Sequence, residues 1–178
     1  MNYSKHETAI VEEGAKIGSN TKIWHFAHIR GTAEIGNNCT ISKDVYVDAN
    51  AKIGNNVKIG NSVSIWNGMT IEDGVMISPN SCFTNDLYPR AEIWNEERLK
   101  KTLIMKGATI GANSTILCGI EIGKYALIGA GSVVTKNVPN HALVTGNPAR
   151  VKGYVCTCGN RLDENFFCKS CKKEINIK

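Results

Sequence analysis

The stretch "IGNNVKIGNSVSIWNGMTIEDGVMIS", residues 53–78, decides the fold. Each block of six opens on an aliphatic residue: Ile53, Ile59, Ile65, Ile71 and Ile77. Four places later comes a smaller apolar residue: Val57, Val63, Met69 and Val75. An amphipathic helix would need apolar spacings of three and four, and a simple strand a spacing of two. A period of six with β-branched residues suits a two-residue strand and a turn. Asn-Asn, Asn-Gly and Asp-Gly pairs supply the turns, because Asn, Asp and Gly tolerate positive φ.

The same slot runs from Val11 through Ile17, Ile23, Ile29, Ile35, Ile41 and Val47 into this stretch, and on to Phe83. Three units close a triangular coil, so each aliphatic residue sits over the one eighteen positions earlier. Coils stack about 4.8 Å apart, the spacing of hydrogen-bonded strands. Stacking buries a continuous core that no single coil holds. The expectation is an all-β chain, a parallel β-helix of hexapeptide repeats.

The repeat breaks once, at "CFTNDLYPRAEIWNEERLKKTLI", residues 82–104. It resumes at Ile104, Ile110, Ile116, Ile122, Ile128 and Val134. From Phe83 to Ile104 is 21 residues, which is not a multiple of six. The inserted loop, about residues 84–103, is therefore no extra coil. A long loop on a regular scaffold points to function. After Val138 the chain leaves the period, and the expected organisation is a β-helix over 1–150 and a Cys-rich tail over 151–178.

At 178 residues, 42% hydrophobic and 21% charged, the composition is that of a globular chain. No apolar run is long enough to span a membrane, and "MNYSKHETAI" has no secretory h-region. A cytoplasmic location follows as an expectation. Most of the net charge of +5 lies beyond residue 149, where seven basic residues face three acidic ones. No nucleic-acid motif accompanies it, so neither nucleic acid nor membrane is an expected partner.

Four of the seven cysteines cluster in "CTCGNRLDENFFCKSC". Cys156, Cys158, Cys168 and Cys171 form two close pairs, which in a reducing compartment suits a closed four-cysteine zinc site that folds the tail. Four free thiols are the alternative.

"IWHFAHI", "CFTNDLYPRA", "KGATIGANSTILCGIEIG", "LIGAGSVVTKNVP" and "VTGNPARVKGY" together resemble the hexapeptide-repeat acetyltransferases that acetylate a 3-amino group on UDP- or dTDP-linked sugars. The resemblance implies left-handed coils, a homotrimer, a short helix near the C-terminal cap, and acetyl-CoA as donor in a groove between subunits. It places the chain in surface polysaccharide synthesis, lipopolysaccharide included. It also implies that Asn85 aims the acceptor amine, without a strong side-chain base. His25 is the candidate base, since His has the pKa for that work. His28, Trp66, Asn67, Thr84, Asp86 and Arg90 are candidate acceptor contacts. Gly107, Thr109, Gly111, Ala112, Ala130, Gly131 and Pro148 are candidate CoA contacts, with Lys136, Arg150 and Lys152 for its phosphates. Three other readings stand beside this one: O-acetylation of serine or a sugar hydroxyl, a γ-carbonic-anhydrase-like zinc enzyme, and a non-enzymatic scaffold.

Overall fold

The computed structural model describes residues 2–93 and 95–177; Met1, Trp94 and Lys178 lie outside it. The repeat folds as its spacing demands. Two-residue strands form three walls of a solenoid, with parallel pairing between successive coils. In the third wall Ile17 pairs with Ile35, Ile35 with Ile53, and Ile53 with Ile71. The aliphatic slot points inward: Ile29, Ile41, Ile59, Ile65 and Ile77 are fully buried. Burying one such side chain is worth about 1.5–3 kcal/mol. The small residues fill the corners, where Ala27, Ala33, Ala51 and Val57 have no exposed surface.

The turns bear out the role assigned to asparagine. Asn20, Asn38, Asn50, Asn56, Asn80 and Asn113 all sit at positive φ. A second set forms a ladder between coils: Asn37 Oδ1 accepts from Ser19 N, Asn55 Oδ1 from Asn37 N, and Asp73 Oδ1 from Asn55 N, at 2.7, 2.8 and 2.6 Å.

The insertion leaves at one corner and returns to it. Ile71 pairs directly with Ile104, across the whole excursion. Thr102, 1% exposed, takes the corner slot that the loop displaced. The ladder of the second wall is interrupted at the same level. Strands Ile10–Val11, His28–Ile29, Tyr46–Val47 and Ser64–Ile65 form one sheet, and Cys82–Phe83, Thr115–Ile116 and Val133–Val134 another. Trp66 explains the gap. Its backbone N–H is directed to Met69 Sδ (3.3 Å), and its indole Nε1 donates instead to Phe83 O, at 2.6 Å.

The C-terminal end differs from expectation in two ways. No α-helix occurs among the described residues, so the short helix implied by the resemblance is absent; Glu96–Arg98 is a single 3-10 turn inside the insertion. The cap is a hairpin, in which Ala142–Thr145 pairs antiparallel with Arg150–Tyr154. The strict period is lost here, as expected, but the winding goes on past Val138. Val138 bridges to Ile122, and Leu143 and Val144 pair in parallel with Leu127 and Ile128, continuing the first wall in a shortened coil. Strand Arg150–Tyr154 runs across residues 150 and 151.

Candidate active site

Two corners carry most of the candidate residues. Between the first and second walls run His25, then Gly111 and Ala112, then Ala130 and Gly131. Between the second and third walls run Asn67, Thr84, Asn85 and, two coils further on, Lys136. Within one protomer His25 and Asn85 therefore lie on opposite edges of the second wall. They are also three coils apart along the axis, about 14 Å at the strand spacing.

The root of the insertion is a latch. Lys100 N donates to Asn85 O at 3.0 Å, and Asp86 bridges antiparallel to Leu99. Arg98 Nε donates to Asp86 Oδ2 at 2.7 Å, and its Nη2 donates to Tyr88 O. Tyr88 N also donates to Asp86 Oδ1, at 2.7 Å. The Arg98 guanidinium, helped by the Tyr88 N–H, holds the Asp86 carboxyl below the usual carboxylate range. Asp86 is thus committed to closing the arm. Thr84 Oγ1 accepts from Cys118 N at 2.9 Å. Asn85, half-buried between these contacts, has a side-chain amide with no partner among the described residues, so its oxygen can accept from a ligand. Beyond the latch Leu87, Tyr88 and Arg90 are exposed.

Below the latch the second wall carries a polar and aromatic band. Trp66 lies 5.9 Å from Tyr46, and Tyr46 meets the edge of His28 at 5.6 Å. His28 Nε2 is 2.7 Å from Glu12 Oε1. The Gly31 N–H, then His28 and Arg30, lower the Glu12 carboxyl to about 2. Asn67 N points to Asp48 Oδ2 at 3.4 Å. His25 is elsewhere, stacked on His6 with ring centroids 3.5 Å apart. His6, Arg98 and Tyr46 went unread in the sequence. Counting back eighteen from Trp24 reaches His6, so the repeat itself held that signal.

The donor-side candidates divide into three groups. Gly111 is required by stacking, since a Cβ there would lie 2.5 Å from Ala130 N. Gly131, at φ +69°, faces open space. Gly107 and Thr109 are not at this corner; they line a cleft of about 260 Å³ with Tyr125, Thr157 and Cys158, and the Tyr125 ring covers Gly107. Lys136 and Arg150 do come together, lining a cleft of about 240 Å³ at the C-terminal end with Ala149 and Val151. Pro148 and Lys152 are exposed on the same hairpin.

The four cysteines of the tail converge: their Sγ atoms all lie within 4.8 Å of one another. Thiolates around a tetrahedral zinc stand about 3.8 Å apart at a Zn–S distance of ~2.3 Å. Cys158 and Cys168, at 3.7 Å, already have that separation. Asn160 Nδ2 and Cys171 N both point at sulfur, at 3.4 Å. The Asn160 hydrogen bonds pull Cys158 down to about 6, and the neighbouring Cys158 pushes Cys171 up to about 12. Such a set carries its charge well only around a cation, so the donors fit a divalent, thiophilic metal. The unit docks on the solenoid through His141, whose Nδ1 and backbone O both engage Val155, at 2.9 and 2.7 Å.

Comparison with known proteins places this architecture. The chain is 53% identical over 171 residues to the dTDP-3-amino-3,6-dideoxy-alpha-D-galactopyranose 3-N-acetyltransferase of Aneurinibacillus thermoaerophilus, covering 94% of this chain and 88% of the relative. The chain belongs to the hexapeptide-repeat acetyltransferases. The bacterial transferase hexapeptide family, six repeats, matches residues 14–49 and 101–136, one block on each side of the insertion. Among solved structures, an aspartate-to-alanine variant of AntD, an N-acyltransferase from Bacillus cereus in complex with dTDP and coenzyme A, superposes with a TM-score of 0.62 at 20% identity, covering 86% of this chain and 83% of that one. The acetyltransferase domain of PglB from Neisseria gonorrhoeae, in complex with acetyl coenzyme A, gives a TM-score of 0.55 at 19% identity, over 84% and 57%. Membership of this family brings the left-handed sense of the coils, which the repeat alone does not determine. Among the described residues no helix is long and apolar enough to cross a membrane.

Proposed function

We propose that this chain transfers the acetyl group of acetyl-CoA to the 3-amino group of a dTDP-linked amino sugar, as a step in surface polysaccharide synthesis. The observation that carries this reading is the 53% identity to a dTDP-3-amino-sugar 3-N-acetyltransferase over 94% of the chain.

The chemistry needs a neutral amine, an aimed lone pair and a stabilised oxyanion. A sugar amine is partly neutral at pH 7. Asn85 fits the aiming role: its side-chain oxygen accepts one amine N–H and leaves the lone pair directed at the thioester carbonyl. The new C–N bond forms, the C–S bond breaks, and the CoA thiolate takes the surplus proton. No side-chain base is required. His25 then serves in binding, where its distance from Asn85 within one protomer is no obstacle. Lys136 and Arg150, which share a cleft, suit the phosphates of CoA. Gly131 and its neighbours Ala112 and Ala130 leave room for a thin pantetheine arm.

The active unit in this reading is a homotrimer, which sets one copy's Asn85 corner beside the next copy's His25 corner. The tail holds one structural zinc in its four thiolates. The metal supplies folding free energy and keeps no open position for catalysis. Free-CoA release from acetyl-CoA tests the reading, using dTDP- and UDP-linked amino sugars and with particle mass measured on the same preparation. Turnover of a dTDP-3-amino sugar by a particle of three chains is expected. Turnover of no amino sugar would refute the reading.

A further inference from the structure

Among the described residues, four aromatic side chains stand at positive φ, where a bulky side chain is disfavoured: Phe26, Tyr125, His141 and Phe166. Three of them have an evident internal reason. Tyr125 and His141 stack on each other at 5.2 Å, and Phe166 meets the face of Tyr154 at 5.4 Å. Phe26 does not pack inward. It is 58% exposed, in a turn whose counterparts on the next coils are Asp44 and Ser62. The sequence has put a phenyl ring where a small polar residue fits the backbone best.

The surroundings say what that ring faces. Trp24, two residues earlier, is 46% exposed, and the turn between them carries His25. His25 is backed by the His6 ring at 3.5 Å, and the Trp24 ring lies nearly parallel to it at 6.2 Å. On the next coil the Lys43 ammonium lies 6.0 Å from the Phe26 ring centre, within an ion pair to Asp44 at 2.8 Å. Exposed aromatic faces beside a histidine and a lysine match a flat ring that carries phosphate. Aromatic residues form sequence-tolerant platforms for nucleobases. A buried contact between protein copies would instead disfavour the charged group.

We propose that Phe26, with Trp24 and His25, is the stacking platform for the pyrimidine base of the nucleotide-sugar substrate, with Lys43 beside its diphosphate. The proposal rests on the amino-sugar reading and adds the subsite that reading lacks. The axial distances agree with it. Phe26 lies three coils from Asn85, a span suited to an extended nucleoside-diphosphate sugar. It lies at the far end of the solenoid from Lys136 and Arg150, where the adenosine end of CoA is assigned.

The test compares Phe26→Asn and Phe26→Trp with the unmodified protein, titrating dTDP and CoA separately by calorimetry. Asn fits the left-handed turn, so its melting temperature should be unchanged or higher. Loss of one base stack should weaken dTDP binding about tenfold or more, leaving CoA binding and particle mass unchanged. Phe26→Trp should retain dTDP binding. Unchanged dTDP affinity in Phe26→Asn overturns the proposal. So does a loss confined to CoA, which would make the ring an adenine platform, or a fall in particle mass, which would make it a contact between copies. If the unmodified protein binds CoA but no pyrimidine nucleotide, the amino-sugar reading itself fails.

Discussion

Trp66→Phe tests how the solenoid holds its one irregular segment. In the preceding coils of the second wall a backbone N–H bonds the carbonyl of the inward residue seventeen positions on, as Asp48 N does to Ile65 O at 2.8 Å. At the next level that carbonyl belongs to Phe83, and the indole of Trp66 is its donor. Phenylalanine keeps a ring for Tyr46 to pack on and removes the donor. A buried acceptor left without a partner costs about 1–3 kcal/mol, less whatever a water recovers. For a chain of this size, each kcal/mol moves Tm by roughly 2–4 °C. A loss of about 1–2 kcal/mol should therefore lower Tm by about 3–6 °C. Coils touch only their neighbours, so the damage should be local. Amide exchange should quicken at residues 84–86 and 99–100, and remain unchanged around Ile29 and Ile35. In free-CoA release, kcat should fall more than KM for acetyl-CoA rises, because Asn85 hangs from this root. A Tm and an exchange pattern equal to those of the unmodified protein would refute the claim that the indole anchors the loop.

Asp86→Asn removes the charge that holds Arg98; Tm should change little, while proteolysis of the arm and the KM for the amino sugar should both rise. The folded Asp86 carboxyl titrates below its unfolded value, so its contribution is complete above the unfolded pKa and is lost as pH falls through the lower folded one. Amide exchange in the arm should accordingly increase on acidification in the unmodified protein and show no such step in Asp86→Asn. Asn85→Ala should lose at least about a hundredfold in kcat/KM, the scale of a lost transition-state contact, with Tm nearly unchanged, because Asn85 lies outside the core; equal loss of both would make its role structural. Metal analysis should find one zinc per chain. Cys156→Ser with Cys171→Ser should remove it and unfold the tail without melting the coils, whereas zinc that instead follows His25→Ala would favour the carbonic-anhydrase-like alternative.

The coil was legible because its physics is periodic. One buried slot every sixth residue, with turn residues between, leaves a single packing solution, and Ile17, Ile35, Ile53 and Ile71 stack as counted. The count of 21 across the insertion likewise reduced to a direct pairing of Ile71 with Ile104. Contacts that depend on side-chain reach were not legible. Nothing in the repeat says that Asp86 closes on Arg98 twelve residues away, or that Trp66 turns its indole to a carbonyl. His6 was within reach of the eighteen-residue count but lies before the first clear repeat. The candidate site was read as residue types; their division among two corners and the terminal hairpin needed coordinates, and it separates Gly107 and Thr109 from the glycines and alanines grouped with them. The C-terminal cap was misjudged because "NHALVTGNPARVKGY" carries no strict period, although Leu143 and Val144 still continue the first wall.

The most direct test of the whole account is a matched pair of acceptors in the free-CoA assay: a dTDP-linked 3-amino-3,6-dideoxyhexose, and the same sugar with a hydroxyl at carbon 3. The account predicts rapid acetylation of the amine and none of the hydroxyl, since Asn85 aims a nucleophile but does not deprotonate one. Acetylation of the hydroxyl at a comparable rate, or of serine in preference to both, would contradict it.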